Sequence, residues 1–224
     1  MNGLTAEEER LRTAMALRLR RQLSDPDAAD RLAAWLLEVA LTWRPVETQV
    51  ASIDTIIAFS FGLREEDPSD PMAVAGPVNK ELAALVASLA ARLPEAKIYA
   101  QWEIARVLHG RYGLKQVVSI ERVVNGKGIV YLSTRGVAEG AIADAGGDPA
   151  ALGRVCAVGH HDHAWRCADV CRRLGLDAYV AADVPLPMSY DEHSIQNFTR
   201  SADIWQIYDL AVRVSEERHR LIGA

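Results

Sequence analysis

The chain has 224 residues, half hydrophobic and a quarter charged, with a formal net charge of −5 and a mean hydropathy of −0.02. Such a balance belongs to a globular protein able to bury most of its apolar surface without disulfides, and it excludes a partner held by its phosphate backbone, which needs a concentrated basic face. No run of about 18 apolar residues occurs, so no membrane span is expected.

The first fifty residues read as helical. Met1 to Glu9 lacks the charged start and apolar core of a secretion signal. Thr5 and Glu8 form a capping box that opens a helix running to about Leu23. Arg18, Arg20 and Arg21 follow the acidic Glu7–Glu9 on that helix and read as its solvated face, not a nucleic-acid patch. Asp25-Pro26 restarts a helix whose apolar face is Leu32, Trp35, Leu36, Val39 and Ala40, ending before Pro45. Residues 1–50 are therefore expected to form an N-terminal helical extension, and residues 51–224 the main α/β domain.

From Ser52 the pattern changes. Ile53 to Ser60, closed by Gly62, is β-branched and apolar, and reads as a first, central strand. Arg64 to Pro77 carries three prolines and many acids and reads as a long loop. Asn79 is expected to cap a helix to Leu93, followed by a strand at Lys97–Ala100, a helix at Trp102–Arg111 and a strand at Val117–Ile120. Gly126 and Gly128 punctuate a loop whose apolar run, Ile129 to Leu132, suits an extra strand. Thr134 is expected to cap a helix to Ala143. A strand at Val155–Val158, the helix that ends before Gly175, a strand at Asp177–Ala181 and a helix from Ser201 to Ile222 complete the chain. Strands alternating with helices imply βαβ units, and so a Rossmann-like, mostly parallel sheet with helices on both faces.

The densest chemistry lies where Val155–Val158 ends in Gly159-His160-His161-Asp162-His163-Ala164-Trp165-Arg166. In open α/β sheets the carboxyl end of a strand is where ligands bind. His163 and Arg166 are three apart and can share one side of the first helical turn. The pair suits anion binding with acid–base work; Arg166 could instead pair with Glu121 or Asp162. The histidine run also allows a metal site, although Arg166 beside it would oppose a cation. Cys167 and Cys171, four apart, could join His163 as a soft-metal face, but small buried hydrophobes account for them better. With Cys156 they form no pairwise framework, so a cytoplasmic location is expected.

The chain from Ser52 onward resembles the DUF218, or YdcF-like, domain family. The counterparts are Asp54 near the first strand's start, the Ala100-Gln101-Trp102-Glu103 turn, Glu121 after the third strand, Thr134 with Glu139, and His163-Ala164-Trp165-Arg166. Where the family carries a Ser-Gly-Gly-like turn, this chain has Gln101-Trp102-Glu103. The resemblance implies a Rossmann-like core and, in some members, nucleotide-like ligands such as S-adenosylmethionine. Other members have cell-envelope functions.

The expected site follows. His163 and Glu121 are the catalytic candidates, Glu121 orienting a hydroxyl or holding His163. Ser60, Gly62, Gln101, Glu103, Thr134, Arg135, His160, Arg166, Tyr190, Gln196 and Arg200 are the ligand-binding candidates, and no metal ligand is assigned. Thr134-Arg135-Gly136 opens a helix that could meet an anion or simply be capped. Pro185 to Ser201, with Asp191 and Thr199 besides those above, reads as a loop folding over the strand ends. No Gly-x-Gly-x-x-Gly follows the first strand, and neither a Gly-x-Ser-x-Gly turn nor a phosphate loop with lysine occurs. The leading expectation is a small cytoplasmic enzyme acting on an anionic or nucleotide-like small molecule. The alternatives are a non-catalytic nucleotide or S-adenosylmethionine binding protein and a metal-dependent hydrolase. No cofactor is required, nucleic acid and membrane are not partners, and a homo-oligomer is left open.

Overall fold

The computed structural model describes residues 4–125, 128–130 and 132–223, and the chain forms two compact units. The smaller gathers Met1–Thr42 with Ile207–Ala224, so it adds the last helix to the helices expected in residues 1–50. It contains α1 (Ala6–Arg20), opened by the Thr5/Glu8 capping box, and α2 (Pro26–Trp35), capped by the Asp25 side chain. A π turn, Leu36–Ala40, continues α2. The wider turn rotates the helix face, and the buried residues are Ala29, Ala33, Leu37 and Ala40, while the expected Leu32 is exposed. An ion pair between Asp209 and Arg213 is buried here, Arg213 also donating to the Val39 and Thr42 carbonyls.

The larger unit, Trp43–Gln206, is the α/β domain. It opens with β1 (Glu47–Thr48), a strand inside the segment read as helical. Two residues are too few to show periodicity, and β1 exists because it pairs with the last strand. Then come β2 (Thr55–Ala58), α3 (Gly76–Arg92), β3 (Lys97–Gln101), α4 (Trp102–Arg111) and β4 (Val118–Ile120). An antiparallel hairpin follows, β5 (Val123–Asn125) with β6 (Gly128–Val130). The expected apolar run thus contributes a strand, while Gly126 and Tyr131 lie outside the described residues. The unit continues with α5 (Thr134–Asp144), β7 (Arg154–Val158), α6 (His161–Arg173), β8 (Asp177–Ala181) and the start of α7 (Ala202–Ile222).

The six-stranded sheet is entirely parallel, in the order β1-β8-β7-β2-β3-β4. The expected Rossmann-like architecture is present. All four residues of β2 are buried, as a central parallel strand covered on both faces requires. On one face Ile57, Tyr99, Val155 and Ala157 pack with Val137 and Ala141 of α5 and Cys167 and Cys171 of α6. Helices α3 and α4 pack on each other and on β2, β3 and β4. From β2 the chain builds outward through β3 and β4, then returns to add β7 and β8 on the other side. The reversal lies between the carboxyl ends of β2 and β7, where such sheets leave a crevice.

Two caps differ from expectation. Ser133, not Thr134, caps α5, its side chain accepting from the Gly136 N–H. Asn79 caps nothing, because α3 starts earlier, at Gly76-Pro77. Its amide instead accepts from the Phe61 N–H and donates to the Gly62 carbonyl, holding the turn after β2.

Candidate ligand site at the strand-order reversal

The amino ends of α4, α5 and α6 lie on the carboxyl side of the sheet, and those of α5 and α6 are capped from within the fold, the Gly136 N–H by Ser133, the Asp162 N–H by His160 and the His161 N–H by the Pro187 carbonyl. There Thr134, the first residue of α5, meets α6. Its Oγ1 lies 3.1 Å from His163 Nε2 and accepts from Arg166 Nη1 at 3.2 Å. The indole of Trp205 closes the group, 5.1 Å from the His163 ring and 5.5 Å from the Arg166 guanidinium. Both side chains are nearly buried, at 5% and 6% exposure, while Thr134 is partly exposed. Thr134, drawn from a helix start, and the His163/Arg166 pair, drawn from a strand end, are one constellation. No local pattern marks Trp205, whose place beside the site follows only from the fold; its Nε1 donates to the Asp162 carbonyl.

The other two histidines of the run face elsewhere. His160 is fully buried between Phe61, stacked at 4.0 Å, and the edge of Tyr190 at 4.7 Å. Its Nδ1 accepts from the Asp162 N–H, so Nε2 carries the proton and donates to the Ser189 carbonyl. Burial pushes its pKa down to about 4, and the ring is a neutral helix cap. With both nitrogens engaged inside the fold, the ring expected to touch a ligand serves as structure. His161 is exposed, and its Nδ1 meets Asp162 Oδ1 at 2.7 Å. Asp162 Oδ2 accepts from the Tyr190 hydroxyl at 2.5 Å. Burial alone would raise the Asp162 carboxyl, but the bonds from Tyr190 and His161 outweigh it and the net direction is down.

At the mouth of β2, Ser60 joins the last residue of β3 and the second residue of α4. Its N–H donates to Gln101 Oε1 and its hydroxyl to Glu103 Oε2, and all three residues are buried. Gln101 Nε2 has no partner among the described residues. Gly62 has φ +73°, and a Cβ there would meet Ser194 Oγ and Thr199 Oγ1, both at 2.8 Å. What the geometry requires of Gly62 is this close approach.

The loop from Pro185 to Ser201 does cover the strand ends. Asp191 holds Arg64 through both oxygens, at 2.8 and 2.9 Å, and this guanidinium keeps its carboxyl below the usual range. Ser194 bonds the Leu63 backbone in both directions. Arg200 spends its Nε on the Ser194 carbonyl, and Gln196 is partly exposed, its carbonyl accepting from Thr199. These two expected contacts hold the loop's own fold.

Two expected residues stand apart. Glu121 is exposed and, among the described residues, bonds Ser119 and not His163, because β4 is the edge strand. Arg135 lies on the outer face of α5, paired with Glu139 at 3.1 Å, both half exposed. Asp54 sits at the opposite, amino edge, accepting from the Arg154 N–H. The three imidazoles point at three different partners, and no group of three His, Cys, Asp or Glu among the described residues is gathered for a metal. The three cysteines are buried and none is in a disulfide, and burial pushes the Cys156 and Cys171 thiols up to about 12, so those two pack as small hydrophobes.

Fold and site together define an α/β protein with a polar constellation at its strand-order reversal. Compared with family models, curated proteins and solved structures, the chain matches none. No helix among the described residues is long and apolar enough to cross a membrane.

Proposed function

We propose that the chain binds a small anionic or nucleotide-like molecule at the carboxyl edge of the sheet and acts on it as an enzyme. Arg166 anchors the anion, and His163 gives or takes a proton through Nε2. The observation that supports this most is the sharing of Thr134 Oγ1 by those two side chains beside the strand-order reversal, where α/β sheets take their ligands. The guanidinium supplies a planar fork for phosphate or carboxylate, and the amino ends of α5 and α6 add partial positive charge. Membership of the DUF218, or YdcF-like, family belongs to this reading, and with it S-adenosylmethionine or another nucleotide as ligand. Three free, buried cysteines accord with a cytoplasmic setting.

A non-catalytic binding protein is the second reading, favoured by the burial of His163 and its bond to Thr134. Calorimetry with inorganic phosphate, adenosine monophosphate and S-adenosylmethionine tests both. At least one is expected to bind, with Arg166→Gln about ten- to a hundredfold weaker, the value of a lost charge-assisted hydrogen bond. Conversion of the bound compound, lost in His163→Gln while binding persists, supports the enzyme; binding without conversion supports the second reading. Equal binding by Arg166→Gln, or none by the wild type, overturns both.

A further inference from the structure

A second cleft lies one strand beyond the reversal, at the carboxyl ends of β8 and β1, with a volume of about 630 Å³. That size suits a small organic molecule. Its apolar wall includes Trp43, Pro45, Val184, Pro185 and Leu186, and His161, Arg44, Glu47 and Asp183 bring charge and hydrogen bonding. Arg44, Glu47 and Asp183 make no ion pair with one another or with any other described residue. All three are exposed, so charges of both signs are open to a molecule seated in the cleft. Asp183 is also the one non-glycine residue with a positive φ among those described, +58°, a conformation the turn after β8 imposes.

His161 is held in place at the edge of this cleft. Ionised Asp162 can only accept, so the neutral imidazole carries its proton on Nδ1 and presents Nε2 as an acceptor. The Tyr190 hydroxyl fixes Asp162 from its other oxygen, and the His161 backbone N–H is tied to the Pro187 carbonyl. Nε2 has no partner among the described residues.

We infer that this cleft binds a free amino acid with an apolar side chain. Arg44 takes the carboxylate. His161 Nε2 accepts from the ammonium, with Glu47 and Asp183 supplying the negative surroundings an ammonium needs. Trp43, Pro185 and Leu186 cover the side chain. A simple anion would meet two carboxylates and a simple cation would meet Arg44; a zwitterion satisfies both.

The test is an NMR titration of the full chain with each of the twenty free L-amino acids at millimolar concentration. An apolar member is expected to shift the His161 imidazole and the backbone amides of residues 181–186 saturably. Arg44→Gln should weaken that binding about tenfold, the worth of one charge-assisted contact, and Arg166→Gln should leave it unchanged. The N-acetylated form of the same amino acid should bind at least as weakly as the free amino acid binds Arg44→Gln. If no amino acid moves these resonances, or Arg44→Gln binds as the wild type does, the inference falls. Because Arg166 belongs to the other site, its phosphate and nucleotide binding stands or fails separately.

Discussion

His160 carries the clearest consequence of burial at a single residue. Its imidazole has a pKa near 4 in the folded chain against an ordinary 6.5. Above pH 6.5 the ring is neutral folded or unfolded, and its contribution is complete. As pH falls from 6.5 to 4 the unfolded chain takes up a proton that the fold refuses, so stability declines, levelling once the folded ring also protonates. At about 1.4 kcal/mol per unit of pKa, the decline reaches about 3 kcal/mol. Urea unfolding across that range should show it, and His160→Gln should lose most of the slope; an unchanged slope would remove the assignment. In sequence His160 and His163 look alike. They differ because one caps the helix against Phe61 and Ser189, and the other lies a turn later, toward Thr134. Three residues of helix separate a structural histidine from a candidate site residue, and no pattern in the letters marks that difference.

Between elements, the turn after β2 and the loop after β8 lock together through backbone groups. Gly62 makes this possible, since its positive φ and missing Cβ let Ser194 and Thr199 come within contact distance. Gly62→Ala should cost about 2 kcal/mol or more, from the left-handed conformation and the collision together. Chemical denaturation measures it directly, and a cost below a few tenths would show the loop yielding freely. Most helices and strands of the α/β domain were legible in the chain, because long apolar runs bounded by Gly, Pro and caps leave little choice. Trp102–Arg111 and Asp177–Ala181 fall where the periodicity puts them. What escaped had a tertiary cause. β1 exists through its partner β8, the α2 face turns with a π segment, and Asn79 was drawn from a cap into the turn it braces. Thr134, His163 and Arg166 were found because helix starts and strand ends are local signals. Glu121 and Arg135 carried the same signals, but edge position and helix phase turned them away.

At the scale of the molecule, each unit rests on a different kind of interior. The α/β domain has a broad apolar core, while the smaller unit buries chiefly alanines, Leu37 and the Asp209–Arg213 pair. Asp209→Ala would take the bonded carboxylate away from a buried guanidinium, costing about 3–5 kcal/mol. Circular dichroism melting should then show an earlier loss of helix; a melting curve matching the wild type would contradict it. The domain's sheet brings Thr134 to one place with His163 and Arg166, about thirty residues away in sequence. Adenosine monophosphate titrated into protein with ¹⁵N-labelled histidine and arginine tests that claim most directly. The account predicts saturable shifts of the His163 imidazole and the Arg166 guanidinium, absent in Arg166→Gln, with the buried His160 unmoved. Resonances of His163 and Arg166 that stay still while adenosine monophosphate binds elsewhere, or that stay still with inorganic phosphate and S-adenosylmethionine too where it does not bind, would contradict it.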